Sequence, residues 1–368
     1  MEAVLVEFSP AVQEPTPGQA RRAITLFFLV SGFGFATWAS RIPTIQHRLG
    51  LNEAELGGVL LAMPAGLLLT LPLTGVLLRR FSSRQVMLAG AIFYNLVLAL
   101  LGQAAHTWQL VALLFCFGSS RNLLNLSMNA QSVGVQARYG RSIIASFHGV
   151  WSVAGFAAAA LGTLLVGQQV GTGPHFAGVA AGLTVLALLS YRHSLALPRS
   201  PATGRRPGFA WPDKALLGFG LIAFASMACE GAMYDWSSIY FEKAVLLPKT
   251  SATLGFATYM VAMTIGRFSG DWLANRWGVR LVLRYSGVLI GVGLLLAALL
   301  PQPLPTGLGF VLVGLGVSCV VPMLFGLAGR TTGNSGAAVV VGVSTVGYLG
   351  FLIVPPVVGF VAEAANLR

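Results

Sequence analysis

Charge is what this chain has least of. Asp, Glu, Lys and Arg make up 9% of its 368 residues, where a soluble domain carries about 25%. So few charges cannot cover a water-facing surface, which excludes a soluble enzyme and a nucleic-acid-binding domain. Cysteine is scarce too. Cys116, Cys229 and Cys319 each fall inside an apolar run, where they read as small packing residues rather than disulfide partners. That excludes a secreted disulfide scaffold. No C-x-x-C pair occurs, and the five histidines, at 47, 106, 148, 175 and 193, follow no metal-ligand spacing. The three lysines follow no Gly-rich phosphate loop. Neither a metal nor a cofactor is expected.

Hydrocarbon fills the chain instead: 55% of residues are hydrophobic and the mean hydropathy is +0.77. Eleven apolar runs lie near 23–40, 56–78, 85–103, 109–131, 143–167, 175–191, 215–241, 253–274, 281–300, 306–327 and 337–361. Each reaches the ~17 residues a spanning helix needs, whereas strands of a membrane barrel would be ~10 residues of alternating polarity. The expected fold is an all-α polytopic membrane protein. Residues 1–20 contain three glutamates and three prolines and no basic start. They read as an uncleaved tail, residues 1–22, rather than a signal peptide.

Basic residues set the orientation. Placing the N-terminus in the cytoplasm puts 16 of the 23 Lys and Arg inside and five outside, with Arg121 and Arg267 left within spans. This is the positive-inside asymmetry of a multi-pass inner-membrane protein, and it accounts for the net charge of +12. The longest polar stretch, 192–214, reads as a cytoplasmic linker between an N-terminal bundle of six helices (23–191) and a C-terminal bundle of five (215–368). The two halves also echo each other. Trp38-Ala39-Ser40 matches Trp236-Ser237-Ser238, Leu56-Gly57 matches Leu254-Gly255, and Arg80, Phe81 and Arg84 match Arg276, Trp277 and Arg280, at offsets of 198, 198 and 196. Duplicated helical units are typical of secondary transporters, whose sites lie between the halves near the midplane. The same offset predicts a twelfth helix at 373–389, past Arg368, so the chain reads as stopping one helix short of a full duplication.

With this duplication in place, the chain resembles the major facilitator superfamily. GRFSGDWLANRWGVR (266–280) looks like the family's Gly/Asp/Arg loop motif, with Gly270, Asp271, Arg276 and Gly278 in place. Its counterpart GVLLRRFSSR (75–84) has Arg79 about where the acidic residue is expected. MNAQSV (128–133), GRSIIASFHGVWSVAG (140–155) and EGAMYDWSSIYF (230–241) resemble the YbjJ-like branch, related to fucose-permease-type transporters. In that branch an acidic residue is common where Asn125 stands. The resemblance implies two pseudo-symmetric bundles with the first, fourth, seventh and tenth helices lining a central cavity. It also implies a cytoplasmic gate at Arg267, Asp271 and Arg276.

A charge at the bilayer centre costs about 2.5–3.5 kcal/mol on insertion scales, so each one needs a reason. Arg121 and Glu230 lie near the middles of the fourth and seventh runs. They read either as a substrate and proton site or as a structural ion pair. Arg121 keeps its charge, while Glu230 can exchange a proton. Asp235, about 140° around the helix from Glu230, is a second candidate for proton coupling. Arg267 and Asp271, four apart, read as the gate or as an i,i+4 pair. Asn122, Asn125 and Asn129 are spaced to share a face with substrate or with a neighbouring helix. His148, Trp151, Tyr234 and Trp38 complete the candidate substrate set, since aromatic faces beside hydrogen-bonding groups suit polar organic solutes. They also suit packing and interface anchoring.

The expected function is a monomeric secondary transporter, a symporter moving a small polar, sugar-like solute with protons. Drug or metabolite efflux uses the same scaffold, as would a sensor that no longer transports. A membrane enzyme would need a convergent His/Asp or Ser/His set, and only His148 lies well inside a span.

Overall fold

The computed structural model describes residues 15–51, 53–197, 214–247, 249–331 and 336–364. Most of the predicted linker, and the ends of the chain, lie outside these residues. All regular structure among the described residues is helical: α1 (Pro17–Ala39), α2 (Ile42–Leu49), α3 (Glu53–Leu60), α4 (Ala62–Leu69), α5 (Leu71–Arg80), α6 (Ser83–Leu101), α7 (Thr107–Tyr139), α8 (Ile144–Gly167), α9 (Thr172–Tyr191), α10 (Lys214–Lys243), α11 (Lys249–Trp277), α12 (Val279–Leu299), α13 (Pro303–Val317), α14 (Val320–Thr331) and α15 (Gly336–Ala364).

Fourteen of these helices make the eleven runs expected from sequence, and α2 lies in the connection after the first run. Nine stretches among the described residues are long and apolar enough to cross a membrane. The other two, α11 and α15, are each 29 residues long, about 43 Å at 1.5 Å per residue. Two runs are broken, and proline explains where. A proline ring clashes with the carbonyl four residues back and removes one helical hydrogen bond. Pro64 and Pro72 accordingly split the second run into α3, α4 and α5, while Pro322 splits the tenth into α13 and α14 beside Ser318.

One boundary differs from expectation. The N-terminal tail gives way to helix at Pro17, not after residue 22. The Thr16 hydroxyl accepts from the Gln19 amide at 3.3 Å and the Gln19 side chain accepts from the Thr16 amide at 2.9 Å. This reciprocal cap, with Pro at the first helical position, starts the helix ahead of the apolar run.

Packing follows the two halves. A buried cluster around Phe27, Phe28, Tyr94, Leu98 and Phe117 belongs to the first six runs. A second, around Met233, Tyr240, Tyr259 and Phe310, belongs to the last five. Glycine brings backbones together within each half. A Cβ on Gly118 of α7 would meet the Met63 carbonyl of α4, and one on Gly66 of α4 would meet the Phe115 carbonyl of α7. Small residues at such crossings let helices approach closely in lipid. Outward-facing leucines such as Leu69, Leu96, Leu189 and Leu295 are more than half exposed, as a lipid-facing surface requires. Trp108 at one end, and Trp272 and Trp277 at the other, are exposed where interface anchors sit.

A third cluster crosses between the halves. Leu71 and Leu78 of α5 pack with Leu126 of α7, Leu324 and Phe325 of α14, and Val339, Val340 and Val343 of α15. A fourth joins Ala145 of α8 to Ala274 of α11, Cys319 and Met323. Both lie toward the end where Arg80, Arg138, Arg276 and Arg330 close their helices. The halves therefore meet at the arginine-rich end.

Candidate functional site

Just above this meeting zone the rare charges converge. Arg267 of α11 pairs with Glu230 of α10 at 3.4 Å, and their side chains are 9% and 17% exposed. Arg267 also donates to the Ser152 hydroxyl of α8 at 2.7 Å, and its guanidinium lies 5.8 Å from the Trp151 ring centre. One side chain thus ties the carboxylate of Glu230 to the opposite half. Arg267 is absent from the sequence-based substrate set, and its pairing corrects one expectation. Arg121 is not the ion partner of Glu230. The guanidinium of Arg121 instead lies 4.3 Å from the centre of the Phe35 ring of α1, and Phe35 in turn stacks on Trp151 at 6.1 Å.

The three asparagines of α7 do not act together. Asn125 donates to the Tyr348 hydroxyl of α15 at 2.6 Å, linking the halves. Asn129 donates to the Asn125 carbonyl at 2.8 Å and its side-chain oxygen at 3.1 Å. The Asn129 oxygen lies 3.2 Å from His148 Nε2, and the His148 ring meets Phe28 edge-on at 4.9 Å. Asn122 turns away: it is fully buried and donates to Thr74 of α5 at 2.9 Å. Tyr234 faces Tyr259 at 6.0 Å and Phe351 at 6.1 Å, all within the second half. Trp38 is 2% exposed inside the first-half core, so it has no free face for a solute. Asp235 lies on α10, and its side chain is outside the described residues. Tyr348 escaped the sequence reading; a single tyrosine in a glycine-rich run gives no periodic signal.

At the closed end, Asp271 of α11 faces the start of α8. Its carboxylate accepts from the backbone N–H of Ser146 at 2.7 Å, the N–H of Ala145 at 3.1 Å and the Ser142 hydroxyl at 3.0 Å. The cap residue of α8 is Ile143, which offers no side-chain bond. The first amides of a helix lack partners and carry partial positive charge, and a carboxylate from the other half supplies both. Asn275, one turn on, exchanges two bonds with the Ser142 backbone, at 2.8 and 3.0 Å. Arg267 and Asp271 therefore do not pair with each other; both reach across to α8. Arg276 takes no part in this clasp and lies over Trp272 at 5.7 Å. Among the described residues no group of His, Cys, Asp and Glu could hold a metal.

Two helical halves, joined at one end and bridged across a charged patch, match a known family. The model of the Major Facilitator Superfamily matches residues 24–362. The chain belongs to the major facilitator superfamily. An uncharacterized MFS-type transporter of Yersinia pestis is 33% identical over 96% of this chain and 92% of its own length. The membrane protein MosC of Rhizobium meliloti is 30% identical over 94% and 84%. Among solved structures, FucP in its outward conformation aligns with a TM-score of 0.77 at 18% identity, covering 94% of this chain and 92% of FucP. The human organic anion transporter MFSD10 aligns at 0.75 and 16%, covering 96% of each. At these identities the likeness to solved structures is one of fold. This major facilitator protein is thus a multi-pass membrane transporter by family and by its apolar helices.

Proposed function

We propose that the protein is a proton-coupled secondary transporter, moving a small polar solute across the cytoplasmic (inner) membrane by alternating access as a monomer. The observation that carries this reading is the double engagement of Arg267, with Glu230 in its own half and Ser152 in the other. A proton on Glu230 cancels the charge that holds Arg267 on α10. The guanidinium then redistributes toward Ser152, the Trp151 face or a solute, so proton occupancy and contact between the halves are linked through one side chain. The positive-inside count sets the closed, arginine-rich end in the cytoplasm, with the N-terminus on that side. A chain held shut there by the Asp271 clasp admits solute from outside.

The solute set in this reading is Arg121, Asn125, Asn129, His148, Trp151, Glu230 and Tyr234, which leaves Trp38 and Asn122 to packing. Asp235 is kept as a second proton-exchanging carboxylate, and the gate comprises Arg267 and Asp271. The organic anion named for MFSD10 and the fucose and proton named for another FucP structure mark the range of small solutes this fold serves. The test is Glu230→Gln in proteoliposomes. Uptake driven by an imposed pH gradient should fall at least tenfold, while exchange of labelled for unlabelled solute across the same membrane persists. Gradient-driven uptake that survives intact would remove Glu230 from coupling.

A further inference from the structure

Resting on that reading, we propose that the solute is a small hydroxylated organic monoanion whose carboxylate seats on Arg121. The argument is one of charge accounting. Two guanidiniums, Arg121 of α7 and Arg267 of α11, belong to this patch, and both are held on aromatic rings. Among the described residues one carboxylate serves them, Glu230, and its ion pair is with Arg267. Asp271 is occupied at the start of α8. No carboxylate lies within ion-pair distance of Arg121, and no acceptor takes a hydrogen bond from it among the described residues. A side chain with five N–H donors in a fixed fork is thus half-buried in the middle of a membrane protein with only a ring face for company.

The Phe35 ring compensates part of the charge and sets the orientation of the fork. A cation–π contact takes up the face of a guanidinium and leaves its N–H edge free. That edge is the geometry that binds a carboxylate through two parallel hydrogen bonds. A second donor is also unused: among the described residues the Nε of Arg267 is buried without a partner. With Glu230 ionised, the described side chains of the patch carry one uncancelled positive charge, so a single negative charge on the solute brings them to neutrality, whereas a dianion overshoots. One turn from Arg121, Asn125 with its neighbours Asn129, His148 and Tyr348 forms a linked set of amide, imidazole and hydroxyl groups. Such a set suits a hydroxylated body rather than an alkyl chain.

The full-length protein in detergent, titrated by calorimetry, tests this with defined probes: D-gluconate, its uncharged amide D-gluconamide, D-galactose and D-glucose 6-phosphate. Gluconate should bind at least tenfold tighter than gluconamide or galactose, and tighter than the phosphate ester. Arg121→Gln should abolish that preference, and Arg121→Lys should restore part of it. Comparing gluconate with gluconamide on the unaltered protein tests the charge requirement even where Arg121→Gln fails to fold. Equal binding of gluconate and gluconamide, or tighter binding of the phosphate ester, would overturn the monocarboxylate assignment. So would an anion preference that survives Arg121→Gln. Failure of the transporter reading looks different: gluconate binds with the predicted preference, yet proteoliposomes exchange none of it.

Discussion

Arg267 holds three neighbours at once, a carboxylate, a hydroxyl and an indole, and each belongs to a different functional demand. Removing one should be felt by the others. Ser152→Ala deletes the bond that carries Arg267 to the first half and should slow transport severalfold while leaving the fold intact, as read by uptake rate alongside size-exclusion behaviour. Trp38 should behave in the opposite way. It is buried in the first-half core, so Trp38→Ala should cost about 3–5 kcal/mol of stability, seen as an earlier thermal transition in detergent, with solute affinity unchanged. At this scale the sequence was informative because charge is so rare: Arg121, Glu230, Arg267 and Asp271 stand out in any apolar run. Which guanidinium meets Glu230 was not legible, since spacing along one helix says nothing about which neighbouring helix faces it. Trp38 misled for a related reason, as an aromatic at a helix end looks the same whether it anchors, packs or binds.

Among the elements, the eleven runs were readable from hydropathy because a spanning helix must satisfy its backbone internally and face lipid. Their breaks were not read, although Pro64, Pro72 and Pro322 mark them. Hydropathy averages over prolines, and only the clash with the preceding turn locates the break. Glycine shows the same division. Gly118 sits against a backbone carbonyl of α4, whereas a Cβ on Gly287 of α12 would meet nothing within 4 Å. Gly118→Ala should therefore destabilise the first half by about 1–3 kcal/mol, while Gly287→Ala should be neutral or gain up to about 1 kcal/mol in helix propensity. Thermal transitions of the two variants, measured side by side, check the contrast. Equal effects would mean that the α4–α7 crossing yields more easily than its backbone contact implies.

For the whole molecule, duplication and charge asymmetry made the two-half plan legible, and the loop motif marked Asp271. The partner of Asp271 was hidden, because the start of α8 carries an isoleucine where a capping residue would advertise the site. The clasp should nevertheless control which end is open. Asp271→Asn keeps the size of the side chain and removes its charge. Charged hydrogen bonds contribute about 1.5–3 kcal/mol, so the ratio of closed to open molecules should fall roughly tenfold for each 1.4 kcal/mol lost. Cys319, buried beside Gly270 and Ala145, is a native reporter. With Cys116 and Cys229 replaced by serine, its labelling by a maleimide should speed up in Asp271→Asn. An unchanged labelling rate would show that the clasp does not hold this end shut.

The two seams of that closed end are built from different materials. Between α8 and α11 a small apolar cluster is reinforced by charge and hydrogen bonds. Between α5 and α15 the materials are leucines and valines, and no hydrogen bond or ion pair joins these two helices among the described residues. No carboxylate of α5 (71–80) faces α15 as Asp271 faces α8, so the second seam has no clasp. Wetting apolar surface carries a large heat-capacity change, and apolar contact weakens on cooling. The two seams therefore respond unequally to temperature: cold loosens the α5–α15 side while the α8–α11 side holds. A molecule whose two halves echo each other in sequence becomes, in the cold, one that swings on a single edge.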